Sequence, residues 1–330
     1  AVWRTFGGKK REIHSEFELR RFCYVDGVAD LLTTPDVDVD VVQVHNRPQF
    51  LPYLKKKLPQ VKIILYLHNE ANYDDKRVQE GIRLSDRIVF VSAYLANQYA
   101  TAFPGCSKKS VVIHNSVDTA FWHPKNKTHR KTLEIRNRYH LPMGATVLYV
   151  GRIVHEKGLH CLIDAMRVVR KCIPHARLVV VGSPLFGAID DDAYTRRIKK
   201  RARILGNGVV FTGFVGAKRL RYYYAAADVA VVPSLWEEPF GKVVIESMAM
   251  GVPVIGSCRG GIPEIITQGR GGVLVDDPED VQVLAGQILG VLENKNRRIK
   301  MGAEGRKVVG SRFSPDLRHH KLMEVYRDVV

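Results

Sequence analysis

The segment Pro233-Ser234-Leu235-Trp236-Glu237-Glu238-Pro239-Phe240-Gly241 runs on through Lys242 to Glu246, and its residue types suit an anionic ligand. A strand is expected to end at Pro233 and a helix to begin near Pro239, because proline fits the first helical turn, where an amide hydrogen has no partner. The amides of Phe240, Gly241 and Lys242 would then carry the positive end of the helix dipole toward a phosphate. Glu238 and Glu246 are eight residues apart, a rise of roughly 12 Å on a helix. A glycosidase carboxylate pair needs roughly 5–9.5 Å, so these two acids suit opposite ends of one elongated ligand. An amphipathic helix with two solvated acids would have the same spacing.

A second group, Gly151-Arg152-Ile153-Val154-His155-Glu156-Lys157-Gly158, follows a predicted strand. Arg152 can grip a pyrophosphate with two parallel donors and Lys157 can act as a point charge. A loop of glycine and basic residues is common by itself, and it gains meaning from sharing a predicted domain with Glu238 and Glu246. His68 lies in Leu67-His68-Asn69-Glu70, at the carboxyl end of another predicted strand, where open α/β sheets bind ligands. A lone histidine is as readily a structural residue as a reactive one. Two acidic runs, Asp190-Asp191-Asp192 and Asp36-Val37-Asp38-Val39-Asp40, could be read as metal ligands. The first is better placed to precede and cap a helix, the second lies at the start of a strand, and no metal is expected at either. There is no GxSxG, Walker lysine loop or GxGxxG.

These residues must be positioned by short apolar runs alternating with longer amphipathic ones. In the first half, strands are expected at 39–44, 61–67, 87–91 and 111–113, with helices through Leu51 to Leu54, after the second strand, and from Ala93 with Ser92 as N-cap. In the second half, strands fit 147–150, 178–181, 209–211, 229–232, 253–255 and 272–275, with helices between them and a helical tail. Ser314-Pro315-Asp316 reads as a helix start. This is the pattern of two parallel sheets covered by helices. We expect an α/β protein of two Rossmann-like, doubly wound domains facing a cleft. The domains are expected over 1–122 and 141–314, joined by a polar, basic linker at 123–140 that contains a short helix at 131–138, with the helix at 315–330 returning to the first domain. A strand at 16–22 is a further candidate of the first domain. Gly7-Gly8 reads as a turn rather than as a phosphate loop, so that domain is expected to be incomplete at its start.

Composition narrows the class. The chain has 330 residues, 45% of them hydrophobic and 26% charged, as in a soluble globular protein, and no apolar run of membrane-spanning length. Residues 1–10 lack the apolar core of a secretory signal. Cys23, Cys106, Cys161, Cys172 and Cys258 are scattered and odd in number. That argues against a zinc site or disulfide framework and for a reducing cytoplasm, with all five as small core residues. The net charge of +17 favours polyanions. No nucleic-acid-binding signature is present; any single cluster, such as Lys55-Lys56-Lys57 or those within 196–203, reads as a solvated helix face, while the total charge suggests peripheral contact with an anionic membrane surface.

The constellation resembles glycosyltransferase family 4, of the GT-B fold. The segments that carry the resemblance are Leu67-His68-Asn69-Glu70, His114-Asn115-Ser116-Val117-Asp118, Val150-Gly151-Arg152 with Lys157-Gly158, Phe211-Thr212-Gly213-Phe214, Glu238-Pro239-Phe240-Gly241 through Glu246, and Gly260-Gly261-Ile262-Pro263-Glu264. It covers the chain from about Asp36 onward and is nearest to spore-coat-SA-like and lipopolysaccharide glycosyltransferases. The resemblance implies a retaining transfer from a nucleotide diphosphate donor, a UDP-sugar, to a glycan, lipid-linked or lipopolysaccharide acceptor, with no metal and no cofactor. It implies that Glu246 holds the ribose hydroxyls and that Arg152 and Lys157, beside Gly151, neutralise the diphosphate. Glu238 with the amides of Phe240 and Gly241 would contact the donor sugar, His68 would hydrogen-bond it near the reacting carbon, and the base would stack beside Gly213 and Phe214. The family's glycine-rich loop after the first strand is not found. A catalytically silent GT-B coat or scaffold protein and a GT-B epimerase are the competing classes. A phosphorylase would need a pyridoxal-binding lysine region and a longer chain.

Overall fold

The structure is a computed structural model that describes residues 2–6, 9–13, 24–34, 38–184 and 191–330. The expected strand at 16–22, the Gly7-Gly8 turn, Cys23, Asp36, Val37 and Asp190 lie outside the described residues. Contacts divide the chain into two compact units, Ala1–His114 with Asp316–Val330, and Asn115–Pro315.

The first unit contains β1 (Val2–Phe6), β2 (Lys9–Ile13), α1 (Tyr24–Leu32), β3 (Val41–His45), α2 (Leu51–Lys57), β4 (Lys62–Leu67), α3 (Lys76–Leu84), β5 (Arg87–Phe90), α4 (Ala93–Ala102) and β6 (Ser110–Val112). Its sheet runs β2-β1-β3-β4-β5-β6. The last four strands are parallel, and a β1–β2 hairpin pairs antiparallel on the β3 edge. This antiparallel pair has no counterpart in the sequence expectation. The strands of the parallel core are apolar runs buried on both faces, as helix-covered sheets require: Ile63 to Leu67 and Ile88 to Val91 are all buried. Helix starts follow local chemistry. Ser92 Oγ accepts from the Leu95 amide at 3.1 Å, and Asp75 Oδ1 accepts from the Arg77 amide at 2.8 Å.

The second unit contains α5 (Arg130–Arg138), β7 (Thr146–Val150), α6 (Leu159–Cys172), β8 (Arg177–Val181), α7 (Ala193–Ala202), β9 (Val209–Phe211), α8 (Ala217–Ala226), β10 (Val229–Val232), α9 (Lys242–Ala249), β11 (Val254–Ser257), α10 (Ile262–Ile265), β12 (Thr267–Gln268), β13 (Gly271–Val275), α11 (Val281–Leu292) and α12 (Lys295–Arg312). All seven strands are parallel, in the order β12-β13-β11-β10-β7-β8-β9. The order reverses about β7 and β10, which creates a crevice beyond their carboxyl ends. One core lies between the sheet and α6 and α11, around Val147, Leu162, Met166, Leu178 and Ile288. The final helix, α13 (Pro315–Arg327), belongs with the first unit from Asp316 on. There Tyr326 donates to Gln43 and the Arg318 guanidinium lies 5.5 Å from the Tyr66 ring centre.

Two expectations change and one holds. Residues 123–140 are not a linker but part of the second unit: Tyr139 O accepts from Arg177 at 3.0 Å, and the His129 ring packs 4.7 Å from Tyr222 on α8. Polar surface on a packed helix resembles a linker in sequence. Of the cysteines, Cys106 and Cys161 are buried as expected, but Cys172 and Cys258 are exposed, since they stand at the end of α6 and just after β11. Finally, Asp192 caps α7, accepting from the Thr195 amide at 2.7 Å, while Asp191 pairs with Lys199 at 2.6 Å.

Candidate active site

The loops leaving β7, β8, β10 and β11 approach one another so closely that glycine is required at three points. A Cβ on Gly182 would lie 1.8 Å from Gly151 O, one on Gly158 1.9 Å from Pro233 O, and one on Gly260 2.2 Å from Glu238 O. Gly158 (φ +65°) and Gly260 (φ +56°) also take the left-handed conformation that other residues avoid. The chain from Pro233 to Glu238 is thereby held between two glycine-bearing loops. The Leu235 amide donates to Glu156 O at 2.9 Å, and the Gly261 amide donates to Glu238 O at 2.7 Å.

This frame sets the side chains. Glu238 is buried, at 9% exposure, and its Oε1 accepts from Ser234 Oγ at 2.6 Å and from Lys157 Nζ. Lys157 Nζ also lies 4.9 Å from the centre of the Trp236 ring. Arg152 reaches Glu156 at 3.3 Å, and the Tyr149 hydroxyl donates to Arg152 O at 2.7 Å. So each cation sits beside an acid: Lys157 is held between Glu238 and an aromatic face, while Arg152 is on a more exposed pair.

A pocket of about 300 Å³ opens beside them. It brings together Gly151, Arg152, Lys157, Phe214 and Glu246, with Gly182, Ser183, Val215, Leu220 and Val243 completing much of the wall. Glu246 projects from α9, where its Oε2 accepts from the Tyr224 hydroxyl at 3.2 Å. Burial pushes its carboxyl up to about 7, against the opposing pull of Lys242 and the Tyr224 hydrogen bond. Phe214 is half-exposed at 49%, and the preceding Gly213 (φ +72°) accepts from the Gly182 amide at 3.0 Å.

The structure changes two details of the expectation. Helix α9 starts at Lys242, not near Pro239, because Gly241 takes a left-handed conformation (φ +100°) as its N-cap. Of the three amides expected at the helix start, only that of Lys242 heads the helix, and Phe240 is instead buried with its ring 5.9 Å from Phe313. Glu238 consequently stands on the preceding loop and Glu246 on the helix, so a helical rise does not describe their separation. Sequence reasoning also missed Tyr224, Ser234 and Gly182. Only Gly182, at the end of a strand run, left a local signal.

His68 belongs to the first unit, just beyond β4. Its ring stacks on Tyr66 at 4.6 Å and on His45 at 5.2 Å, and its amide donates to Asn46 Oδ1 at 2.6 Å. Asn46 adopts a left-handed conformation (φ 53°), unusual for a residue with a side chain. Among the described residues no three His, Cys, Asp or Glu side chains group as a metal site, and no helix is long and apolar enough to cross a membrane. Chemically, the pocket of the second unit offers two cations, a titratable carboxyl and an aromatic face. Those features match a molecule with an anionic centre, hydroxyl donors and a flat ring.

Residues 132–308, more than half of the chain, match the family model of Glycosyl transferases group 1. The chain belongs to the group 1 glycosyltransferases. Residues 14–121 of this glycosyltransferase match a second model, Glycosyltransferase Family 4. The enzyme is similar to Spore coat protein SA of Bacillus subtilis strain 168, at 33% identity over 87% of this chain and 78% of the relative. It is also similar to the GDP-mannose-dependent alpha-(1-6)-phosphatidylinositol monomannoside mannosyltransferase of Mycobacterium tuberculosis, at 31% identity over 76% of this chain and 63% of the relative. Among solved structures, Anabaena Alr3699/HepE in complex with UDP and glucose is similar in fold, with a TM-score of 0.76 and 22% identity over 96% of this chain and 84% of its own. The glycosyltransferase thus has the GT-B fold, two Rossmann-like domains whose sheets are parallel apart from the β1–β2 hairpin.

Proposed function

We propose that this glycosyltransferase moves a sugar from a nucleoside diphosphate donor, a UDP-sugar, to a glycan, lipid-linked or lipopolysaccharide-type acceptor, with retention of anomeric configuration and without a metal. The observation that carries the proposal is the convergence of Arg152, Lys157, Phe214 and Glu246 on one pocket of the second unit. In this reading Arg152 and Lys157 take the diphosphate, and ionised Glu246 accepts from the ribose hydroxyls. Phe214 beside Gly213 stacks on the base. Glu238 and the backbone at Phe240, Gly241 and Lys242 meet the donor sugar, with His68 near its reacting carbon.

In the transfer step, the acceptor oxygen forms a bond to the anomeric carbon from the face the diphosphate leaves. The bond from that carbon to the phosphate oxygen breaks, and the acceptor's proton passes to the leaving phosphate, giving the nucleoside diphosphate. The charge that develops there falls beside two fixed cations, a preorganised stabilisation that needs no ion. The relatives support a nucleotide-sugar donor but differ in base, with UDP in the Anabaena complex and GDP-mannose for the mycobacterial enzyme. Calorimetric titration with UDP-, GDP- and ADP-sugars tests the donor. A UDP-sugar should bind tightest, and failure of every nucleotide sugar to bind would reject the site. Anomeric coupling constants of the product test retention, and turnover in excess chelator tests metal independence. The net charge of +17 supports peripheral contact with an anionic membrane, which co-sedimentation with phosphatidylglycerol vesicles at low salt would detect. Donor binding without any turnover would move the chain to the silent scaffold class.

A further inference from the structure

Helix α8 carries three tyrosines in a row, Tyr222, Tyr223 and Tyr224, all buried. Successive side chains leave a helix about 100° apart, so the three serve different neighbours. The Tyr222 hydroxyl accepts from Arg221 Nη2 at 2.8 Å, and the Tyr223 ring lies 6.5 Å from that of Tyr139. Tyr224 turns toward α9, where its hydroxyl lies 3.2 Å from Glu246 Oε2 and 3.4 Å from Val243 O. Its ring is held in place by Trp122, which packs edge-on at 5.5 Å and 83°. Arg306 of α12 ties the Trp122 carbonyl, at 3.0 Å, to the carbonyl of Ala249 at the end of α9. Burial, then the neighbouring Glu246, drives the Tyr224 hydroxyl well above its ordinary range, so it keeps its hydrogen. That single hydrogen has two acceptors in reach. When Glu246 is ionised the hydrogen goes to the carboxylate, because a charge-assisted bond is about twice as strong as a neutral one. When Glu246 is protonated, the acid donates to the phenol oxygen and the phenol hydrogen is free to turn to Val243 O.

We propose that Tyr224 is a positioning residue of the donor site, whose hydroxyl holds Oε2 of ionised Glu246 and so leaves Oε1 to face the ribose hydroxyls. The proposal rests on the reading that Glu246 takes the ribose. The carboxyl reaches about 7 because burial outweighs Lys242, one turn earlier on α9, and the Tyr224 hydrogen bond. Arg152 and Lys157 stand on the wall of the same pocket. Of the elements packed against α9, α12 brings Arg306 to the carboxyl end of the helix, α10 carries Glu264, and β10 and β11 have no charged side chain. A phenol locked in the core fixes the direction of the carboxylate, which a lysine on a flexible stem does not.

Tyr224→Phe keeps the ring against Trp122 and removes only the hydroxyl. Carbon-13 titration of the glutamate carboxyls in the full chain, with the Glu246 signal assigned by its loss in Glu246→Gln, reads the carboxyl directly. Losing a bond that favours the charged form should move its midpoint up by about one pH unit, and an unmoved or lowered midpoint overturns the proposal. Calorimetry with a UDP-sugar at pH 7 should then show about fivefold or more weaker binding, since about a tenth rather than half of the molecules are ionised. Equal affinity there overturns the positioning role. Tyr224→Phe combined with Glu246→Gln should bind within about twofold of Glu246→Gln alone, as expected when one residue acts through the other. Losses that multiply would mean that the tyrosine acts by packing, and would overturn the role as well. Should Tyr224→Phe fail to fold, the wild type decides: its Tyr224 Cζ signal should follow the Glu246 midpoint, and a signal flat from pH 5 to pH 9 overturns the proposal. If the wild type binds no nucleotide sugar, the reading of Glu246 fails, while the carboxyl titration still decides whether Tyr224 holds the carboxylate.

Discussion

Affinity for a nucleotide sugar should rise about tenfold between pH 6 and pH 8, because Glu246 must lose a proton before it can accept from both ribose hydroxyls. In the free protein its carboxyl titrates at about 7 rather than 4.5, chiefly because burial penalises the charge. With that value, about a tenth of the molecules are ionised at pH 6 and about nine-tenths at pH 8. The donor itself contributes nothing to this change, since a diphosphate esterified at both ends does not titrate in the range. Calorimetry at pH 6 in buffers of different ionisation enthalpy should detect release of nearly one proton per donor bound. The same shift affects stability in the opposite direction. Between pH 4.5 and 7 the folded chain holds a proton that the unfolded chain has lost, so stability falls as pH rises through this window, by about 3 kcal/mol in all. Glu246→Gln, which carries no charge at any pH, should therefore match wild type near pH 4.5 and exceed it by up to about 3 kcal/mol at pH 8 in chemical denaturation. It should also bind the donor about tenfold to a hundredfold more weakly at pH 8 and lose the pH dependence. A wild-type affinity that stays flat from pH 6 to pH 8, with Glu246→Gln binding equally well, would refute both the pocket assignment and the proton linkage.

Three further outcomes are expected. Lys157→Ala should lower donor turnover by about a hundredfold or more and lower the thermal midpoint without unfolding the chain, since it leaves the buried Glu238 carboxylate with Ser234 alone among the partners described above; near-normal turnover would mean the cation is misassigned. Gly158→Ala should destabilise the fold by more than about 2 kcal/mol, because a left-handed alanine would also drive its Cβ into Pro233 O, and denaturant titration measures this directly. Phe214→Ala should leave stability unchanged, as the ring is half-exposed, but weaken donor binding by about tenfold if the ring stacks on the base; equal affinity would remove Phe214 from the site.

The strands of both parallel sheets were legible because most are short apolar runs bounded by turn residues, as burial of the central strands on both faces requires. The strand over Val229–Val232 was expected at the bounds observed, and most others shifted by only one or two residues. The β1–β2 pair was missed because neither Val2–Phe6 nor Lys9–Ile13 shows the apolar run or the strict alternation of a buried strand, although Gly7-Gly8 between them reads as a turn. The helix start near Pro239 was misplaced for a local reason. Proline permits a first turn, but the left-handed Gly241 immediately before Lys242 decides where the turn can begin, and a sequence does not reveal the sign of φ at a glycine.

By itself, the sequence determined the residue types at the site and their order along the chain. Arg152, Lys157, Glu238 and Glu246 were singled out because cations after one strand and acids after another must meet at the same sheet edge when the strands are parallel. What it could not determine was distance and charge state. That Lys157 binds Glu238, that Tyr224 reaches Glu246, and that the carboxyl of Glu246 holds its proton to about pH 7 depend on burial and on contacts between residues some 20 to 80 positions apart. Those quantities arise only when the glycines at 158, 182 and 260 let four loops close on one another, since desolvation and hydrogen bonding act through space and not along the chain.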